Sequence, residues 1–383
     1  MRILQSGDWH LGRRLNGLDL LEDQRFMLGQ LLQIAEQRRP DAVLIAGDIY
    51  DRADPPADAV ELLDEVLSRL VLDLHLPVVV LAGNHDSPER LDFCSGILRR
   101  QGLRIVGALP RPPEPAVFQD EAGPVHLFAL PYLDPERVRE GLGREDFRGY
   151  QAAMEIVLDE VRRQCVPGVR TVLAGHAFVQ GGSPSDSERV LNIGGSGVVE
   201  AGLFEGFDYV GLGHLHRPQS VGPRIHYAGS LLPYSVSEAD QARGLLWVEL
   251  PPSGPPTIER IPLEPRRRLR RVTGTFQELM DRPGDGRDRE DLIVAVLTDP
   301  TRVPDAIGRL RQRYPNVLHL DWQAQETATA AVPAATREVL RLDPLAIFRR
   351  FHEEVAGRPL SQEAEALLTP ILERAQEPEE VRP

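Results

Sequence analysis

Lysine is missing from this chain: all 44 basic residues are arginine. The bias is global and accompanies a high content of Ala, Gly and Pro. It therefore reads as a coding-composition effect, and no single arginine gains meaning from it, although Arg suits bidentate phosphate contacts. Cysteine is nearly absent. Cys94 and Cys165 follow no pairing pattern, which excludes a disulfide scaffold, fits a reducing cytoplasm and leaves both as expected small buried hydrophobes. No apolar run reaches the roughly 18 residues a membrane span needs, so no transmembrane helix and no membrane partner are expected. Met1-Arg2-Ile3-Leu4-Gln5-Ser6 reads straight into a strand, without the pattern of a signal peptide. The net charge of −14 excludes a surface coated in basic groups for nucleic acid.

What is present suits a large globular protein. At 383 residues with 42% hydrophobic content, two or three domains are expected. Short apolar runs, 43–46, 78–82, 125–130 and 172–174, read as buried strands. Helical spacing recurs between them, with Val60, Leu63, Val66, Leu67 and Leu70 in 58–70 and Met154, Val157, Leu158 and Val161 in 151–164. Strands at 209–212, 225–228, 245–250 and 257–261 follow, the last two joined by the Pro-rich turn 251–256. The expected fold class is α/β: residues 1–264 form a layered domain with a sheet core flanked by helices.

The pattern changes near Pro265. Arg266-Arg267-Arg268-Leu269-Arg270-Arg271 is the densest basic run, open to reading as a solvated face or as a DNA-backbone contact. Strand 292–297, helix 303–313 and strand 317–322 then form a β-α-β pattern, making 265–323 a small capping domain. Residues 324–335 read as an Ala/Thr-rich linker. Residues 336–376 hold two amphipathic helices, 343–357 opened by Asp343-Pro344 and 361–375 opened by Ser361. The acidic tail 377–383 is expected to be disordered.

Five short motifs carry the chemistry: Asp8-Trp9-His10, Gly47-Asp48-Ile49-Tyr50-Asp51, Gly83-Asn84-His85-Asp86, Gly175-His176 and Gly213-His214-Leu215-His216. Each follows an expected strand, and loops at strand ends are where an α/β sheet keeps its ligands. Asp8, His10, Asp48, Asn84, His176, His214 and His216 offer two Asp, one Asn and four His. Two cations about 3.5–4 Å apart neutralise phosphate oxygens and lower the pKa of a bound water. Such a pair needs a shared carboxylate, and Asp48, ending the most apolar early strand, is the choice. The i, i+2 spacing of Asp8 with His10, and of His214 with His216, puts each pair on one face of extended chain. A mixed N/O set favours Mn²⁺, Fe, Co²⁺ or Zn²⁺ over Mg²⁺ or Ca²⁺. His85 adjoins Asn84 and faces away from the cations, a candidate to steady the transition state or protonate the leaving oxygen. Asp51 is the expected carboxylate orienting it, and Arg52 a candidate phosphate contact. Asp86 reads as a cap for the helix begun at Ser87-Pro88-Glu89. The remaining histidines, His75, His126, His226, His319 and His352, read as ordinary surface or core residues.

These motifs, in this order, resemble the calcineurin-like metallophosphoesterase superfamily. More narrowly, Gly7-Asp8-Trp9-His10-Leu11-Gly12, the stretch 82–91, 209–216, Tyr227-Ala228-Gly229-Ser230 and the layout of the C-terminal part resemble the SbcD-type nucleases. The resemblance implies one cation on Asp8, His10, Asp48 and His216 and a second on Asp48, Asn84, His176 and His214. It implies Mn²⁺ as the metal and a transition-state role for His85. Tyr50 stands where that family often has Phe. The resemblance further implies a homodimer through 58–70 and 88–99, and docking of 343–375 on an SbcC-type coiled-coil ATPase. The activity implied is 3′→5′ exonuclease on duplex DNA ends and endonuclease on single strands, in DNA break and hairpin processing.

Two other readings compete. A small-molecule or phosphoprotein phosphatase could use the same motifs, but has no need of the domains past Pro265. A scaffold holding DNA and the ATPase without catalysis would not need His85 or a complete ligand set.

Overall fold

The protein is described from a computed structural model covering residues 1–323 except 110, 111, 189–196, 240, 285 and 288, and beyond 323 only 345, 349, 352, 359–361, 364, 365 and 368. Met1–Gln323 is one compact unit and Ala324–Pro383 another.

The apolar runs form the middles of two six-stranded sheets. The first has the order Thr257–Pro262, Gly244–Glu249, Arg2–Ser6, Ala42–Ala46, Val78–Leu81 and Leu103–Val106, parallel from Arg2–Ser6 onward. The second runs Gln219–Val221, Ile225–Tyr227, Tyr209–Gly213, Arg170–His176, Gly123–Ala129 and Ala116–Asp120, with its four middle strands parallel. Ala42–Ala46 is buried throughout, as a strand covered on both faces must be. Ile3, Leu44, Leu81, Leu127, Val172 and Tyr209 share one core between the sheets. Helices Leu21–Arg38 and Ala57–Ser68 pack on the outside of the first sheet, and Gly149–Gln164 on the outside of the second. The result is an α/β layered fold with its sheets at the centre.

The helix expected at 58–70 is Ala57–Ser68, continuing in wider π-type turns over Arg69–Asp73. Its buried stripe includes Ala59 and Leu62, whereas Val60, expected inside, is exposed. Cys94 is exposed and Cys165 half-buried, so neither is the buried hydrophobe expected. Strands Leu103–Val106, Ala116–Asp120, Gln219–Val221 and Leu269–Gly274 were not expected.

The last of these lies inside the basic run. Leu269 and Val272 are buried on opposite faces and Arg271 is exposed, so the strand shows no simple alternation. The strand adds a third member to a parallel sheet in the order Leu269–Gly274, Leu292–Leu297, Val317–Trp322. A second unexpected element is helix Phe276–Asp281, opened by a reciprocal cap between Thr275 and Glu278. The helix expected at 303–313 is only Ala306–Leu310. Four of the run's five arginines form ion pairs within the fold. Arg266 and Arg267 meet the buried Asp23, and Arg268 and Arg270 meet the buried Asp291 at 2.7 and 2.9 Å. These four side chains are anchored on buried carboxylates.

In the second unit, the Ser361 hydroxyl accepts the Ala364 N–H at 3.2 Å, as a helix cap does. Linker 324–335, tail 377–383 and most of the two helices lie outside the described residues.

Candidate metal centre

The five motifs lie at the C-terminal ends of parallel strands from both sheets. Asp8 and His10 follow Arg2–Ser6, Asp48 follows Ala42–Ala46, and Asn84 follows Val78–Leu81. His176 ends Arg170–His176, and His214 and His216 follow Tyr209–Gly213. Tight turns bring them inward. Asp8, His10, Asp48 and His214 all have positive φ, at 51°, 45°, 48° and 100°. Such backbone is unfavourable for residues with a Cβ and persists only where the surroundings impose it. Here the N–H of Asp8 bonds Gly47 O at 3.0 Å and that of His10 bonds Asp48 O at 2.9 Å, lacing the first two loops together.

All seven expected ligand residues converge, and all but Asn84, which is half-buried, are buried. Asp48 Oδ2 lies 3.5 Å from His10 Nε2 and 3.5 Å from His176 Nε2. On one side, His10 Nε2 and His216 Nε2 face each other at 3.0 Å. On the other, Asn84 Oδ1 is 3.1 Å from His176 Nε2 and 3.0 Å from His214 Nδ1. Among the described residues, Asp8, His10 and His216 form one group with ligand atoms within 4.8 Å of one another, and Asp8, Asp48 and His176 form another. Asp8 Oδ2 and His10 Nδ1 are buried without a hydrogen-bond partner. Buried polar atoms without hydrogen-bond partners, and facing imidazole nitrogens, fit a divalent cation better than a purely hydrogen-bonded core, which satisfies its buried polar groups.

The electrostatics agree. Burial pushes the Asp8 carboxyl up to about 7 against the pull of His176 and His216. Burial acts the same way on Asp48, but the His176 and His10 imidazoles outweigh it and hold that carboxyl well below its ordinary value. Burial opposes charge on His176, yet Asp48 and Asp8 keep it protonated up to about 9. Burial drives His10 well down and His214 down to about 3. Without a cation, the charges are balanced inside the cluster by pairing Asp48 with His176. A bound cation would take over that balance, favouring ionised carboxylates and neutral imidazoles together.

His85 does not turn away from the cluster. Its ring stands edge-on to His10 with centroids 4.7 Å apart, and its backbone N–H bonds Asp48 Oδ1 at 2.9 Å. The expected role of Asp51 needs correction. The group holding His85 Nδ1 is the Asp51 backbone carbonyl, at 2.8 Å, while the Asp51 carboxylate takes Arg13 Nη1 at 2.8 Å. Arg52 is exposed, and Arg13 is the arginine at the site's edge, also lying 5.1 Å over the Tyr234 ring.

Several residues supporting the site escaped sequence reasoning. Asp86 does not cap the following helix; Ser87 does. Instead its buried carboxylate takes the N–H groups of Ile49, Tyr50 and Gly83 at 3.0, 2.9 and 2.8 Å, clamping the Asp48 and Asn84 loops. Its place inside the Gly83-Asn84-His85-Asp86 motif was the available signal. Gln24 donates to the Trp9 and His10 carbonyls at 3.0 and 2.7 Å. Glu238 and Arg243 support His216 from far along the chain, and nothing in the sequence linked them to it.

Comparison with known proteins identifies the family. The calcineurin-like phosphoesterase family model matches residues 1–218, and the model described as the type 5 capsule protein repressor C-terminal domain matches 265–356. The SbcD component of the SbcCD nuclease of Staphylococcus epidermidis is 32% identical over 98% of this chain and 100% of its own length. The SbcD component from Staphylococcus saprophyticus is 33% identical over 97% of this chain and 99% of its own. Among solved structures, a dimetal phosphatase from Danio rerio aligns with TM-score 0.37 and 12% identity over 68% of this chain and 95% of that one, too distant to carry weight. The chain is a metal-dependent hydrolase that belongs to the calcineurin-like phosphoesterases and, within them, to the SbcD nucleases.

Proposed function

We propose that this protein hydrolyses DNA phosphodiester bonds with two divalent cations, Mn²⁺ in first place, as the cytoplasmic nuclease component of a complex with an SbcC-type coiled-coil ATPase. The observation that carries the two-cation reading is the Asp48 carboxylate, whose Oδ2 is equally distant from an imidazole of each ligand group. Asp8, His10, Asp48 and His216 would hold one cation; Asp48, Asn84, His176 and His214 would hold the other. Bound there, the cations would neutralise phosphate oxygens and supply the nucleophile at neutral pH. The chain's own residues do the rest. His176 Nδ1 donates to the Ala46 carbonyl at 2.9 Å, which keeps Nε2 directed at Asp48 and Asn84. His85, with Nδ1 fixed on the Asp51 carbonyl, keeps Nε2 free to hold a proton for the leaving oxygen. The nuclease names of the full-length relatives, and a C-terminal part that a small-ester phosphatase does not need, favour DNA over small esters as substrate.

The homodimer belongs to the same proposal. Phe93, 77% exposed, lines a cavity of about 320 Å³ with Tyr50, Pro55, Val60, Leu63 and Leu67, and Ile97, four residues on, is 69% exposed. Both segments implied for the dimer, 58–70 and 88–99, meet at this apolar face, and an exposed apolar patch of this kind marks an interaction site. Phe93→Glu is expected to shift the sedimentation coefficient to that of a monomer.

The deciding experiment is cleavage of linear duplex DNA with Mn²⁺, with Mg²⁺ and with chelator, beside a para-nitrophenyl phosphodiester. Mn²⁺-dependent loss of DNA, absent in Asp48→Ala, supports the proposal. Turnover of the small ester with intact DNA, even with the ATPase partner added, favours the phosphatase reading.

A further inference from the structure

We infer that Ser187 is a positioning residue that fixes the ring tautomer of His216, through a hydrogen-bond chain anchored on the Glu238–Arg243 ion pair. The inference rests on the reading of Asp8, His10, Asp48 and His216 as a cation site.

The chain can be followed proton by proton. His216 is buried, and its Nδ1 lies 2.8 Å from Ser187 Oγ. Ser187 Oγ lies 2.5 Å from Glu238 Oε1. Glu238 is fully buried; its Oε2 takes Arg243 Nη2 at 2.8 Å and the Tyr234 N–H at 3.0 Å, and its Oε1 also takes the Ser235 hydroxyl at 2.9 Å. Ionised beside Arg243, this carboxylate only accepts, and a serine hydroxyl has a single proton to give. That proton goes to Glu238, so the Ser187 oxygen must accept from His216, and Nδ1 carries the hydrogen. In a neutral imidazole the lone pair is then on Nε2, the atom that faces His10 Nε2 at 3.0 Å within the Asp8 group. Glu238 Oε1 is 3.6 Å from Nδ1, too far for a direct bond, so the serine is required to pass the orientation on.

The rest of His216 is held by the same neighbours. Its N–H donates to Glu188, and its carbonyl accepts Arg243 Nη1 at 2.6 Å. The contrast with His176 makes Ser187 testable. His176 is oriented by the Ala46 backbone carbonyl, which replacing the Ala46 side chain does not delete, whereas His216 depends on one side-chain hydroxyl. Partners of this kind fix the ring of a ligating histidine and raise its basicity.

The test is calorimetric titration of MnCl₂ into the full-length protein after chelator treatment, comparing wild type, Ser187→Ala and Ser187→Thr. Wild type is expected to bind two ions. Ser187→Ala should weaken one of them about 10–100-fold and leave the other unchanged. Ser187→Thr, which keeps the hydroxyl, should restore the weakened site. A loss confined to one site cannot come from a general loosening of the fold. If wild type binds two ions and Ser187→Ala binds both equally well, or if Ala and Thr are equally impaired, the relay is refuted alone. If wild type binds no Mn²⁺, the cation reading fails and the relay with it.

Discussion

Gly175 and Gly213 each precede a histidine of the site, and the sequence Gly-His makes them look interchangeable. Their surroundings make opposite demands. A Cβ at Gly213 would sit 1.7 Å from the Ala46 carbonyl oxygen and 2.8 Å from His176 Nδ1, below the 3.0 Å that real Cβ contacts respect. Gly213→Ala must therefore push back a backbone carbonyl by more than 1 Å, and that carbonyl is the partner of His176 Nδ1 at 2.9 Å. Overpacking of this kind costs about 1–3 kcal/mol. Losing the imidazole–carbonyl bond adds about 0.5–1.5 kcal/mol. A total destabilisation of about 1.5–4.5 kcal/mol is expected. Mn²⁺ affinity should fall about 10–100-fold as His176 loses its orienting partner. A Cβ at Gly175 meets only the flexible Leu212 Cδ2 at 3.1 Å and the Leu130 oxygen at 3.9 Å. Gly175→Ala should then stay within about 1 kcal/mol of wild type, helped by the lower chain entropy of alanine. Urea unfolding and Mn²⁺ calorimetry on the two variants measure both quantities. If Gly213→Ala matches Gly175→Ala in both assays, the close approach of the two sheets at Ala46 is wrong.

Three further outcomes are expected. His85→Ala should retain Mn²⁺ binding while turnover falls about 10²–10⁴-fold; loss of bound ions in calorimetry would make His85 a ligand instead. Arg170, bonded to Asp120 at 2.9 Å, holds that carboxyl below its ordinary value of 3.8, so it contributes stability above that value and loses it as pH falls. Asp120→Asn should accordingly lower the urea midpoint at pH 7, with the gap to wild type closing below pH 3.8; a constant gap across that range would remove the ion pair as its cause. Deleting 343–383 should leave cleavage of simple substrates intact and abolish co-purification with the ATPase, and retained co-purification would move the docking site elsewhere.

The sequence by itself determined the parts that local pattern encodes. Runs such as Ala42-Val43-Leu44-Ile45-Ala46 can be covered on both faces only as central strands, and the motif at the end of each could only open at the sheet's C-terminal edge. That was enough to name Asp8, His10, Asp48, Asn84, His176, His214 and His216 as one set. Where charged residues interrupt a strand that buries both faces, as in Leu269–Gly274, the pattern failed, because the buried Asp291 that neutralises those arginines lies about twenty residues away. Only the tertiary structure decided how the set is supported. The Asp51 group that holds His85 is its backbone carbonyl, which no residue name advertises. Asp86 clamps two loops, and Glu238 reaches His216 through Ser187, by contacts between segments brought together when the two sheets pack. The candidate set follows residue chemistry and strand ends, which are local; the orientation of its side chains follows from long-range partners, which exist only once the chain has folded.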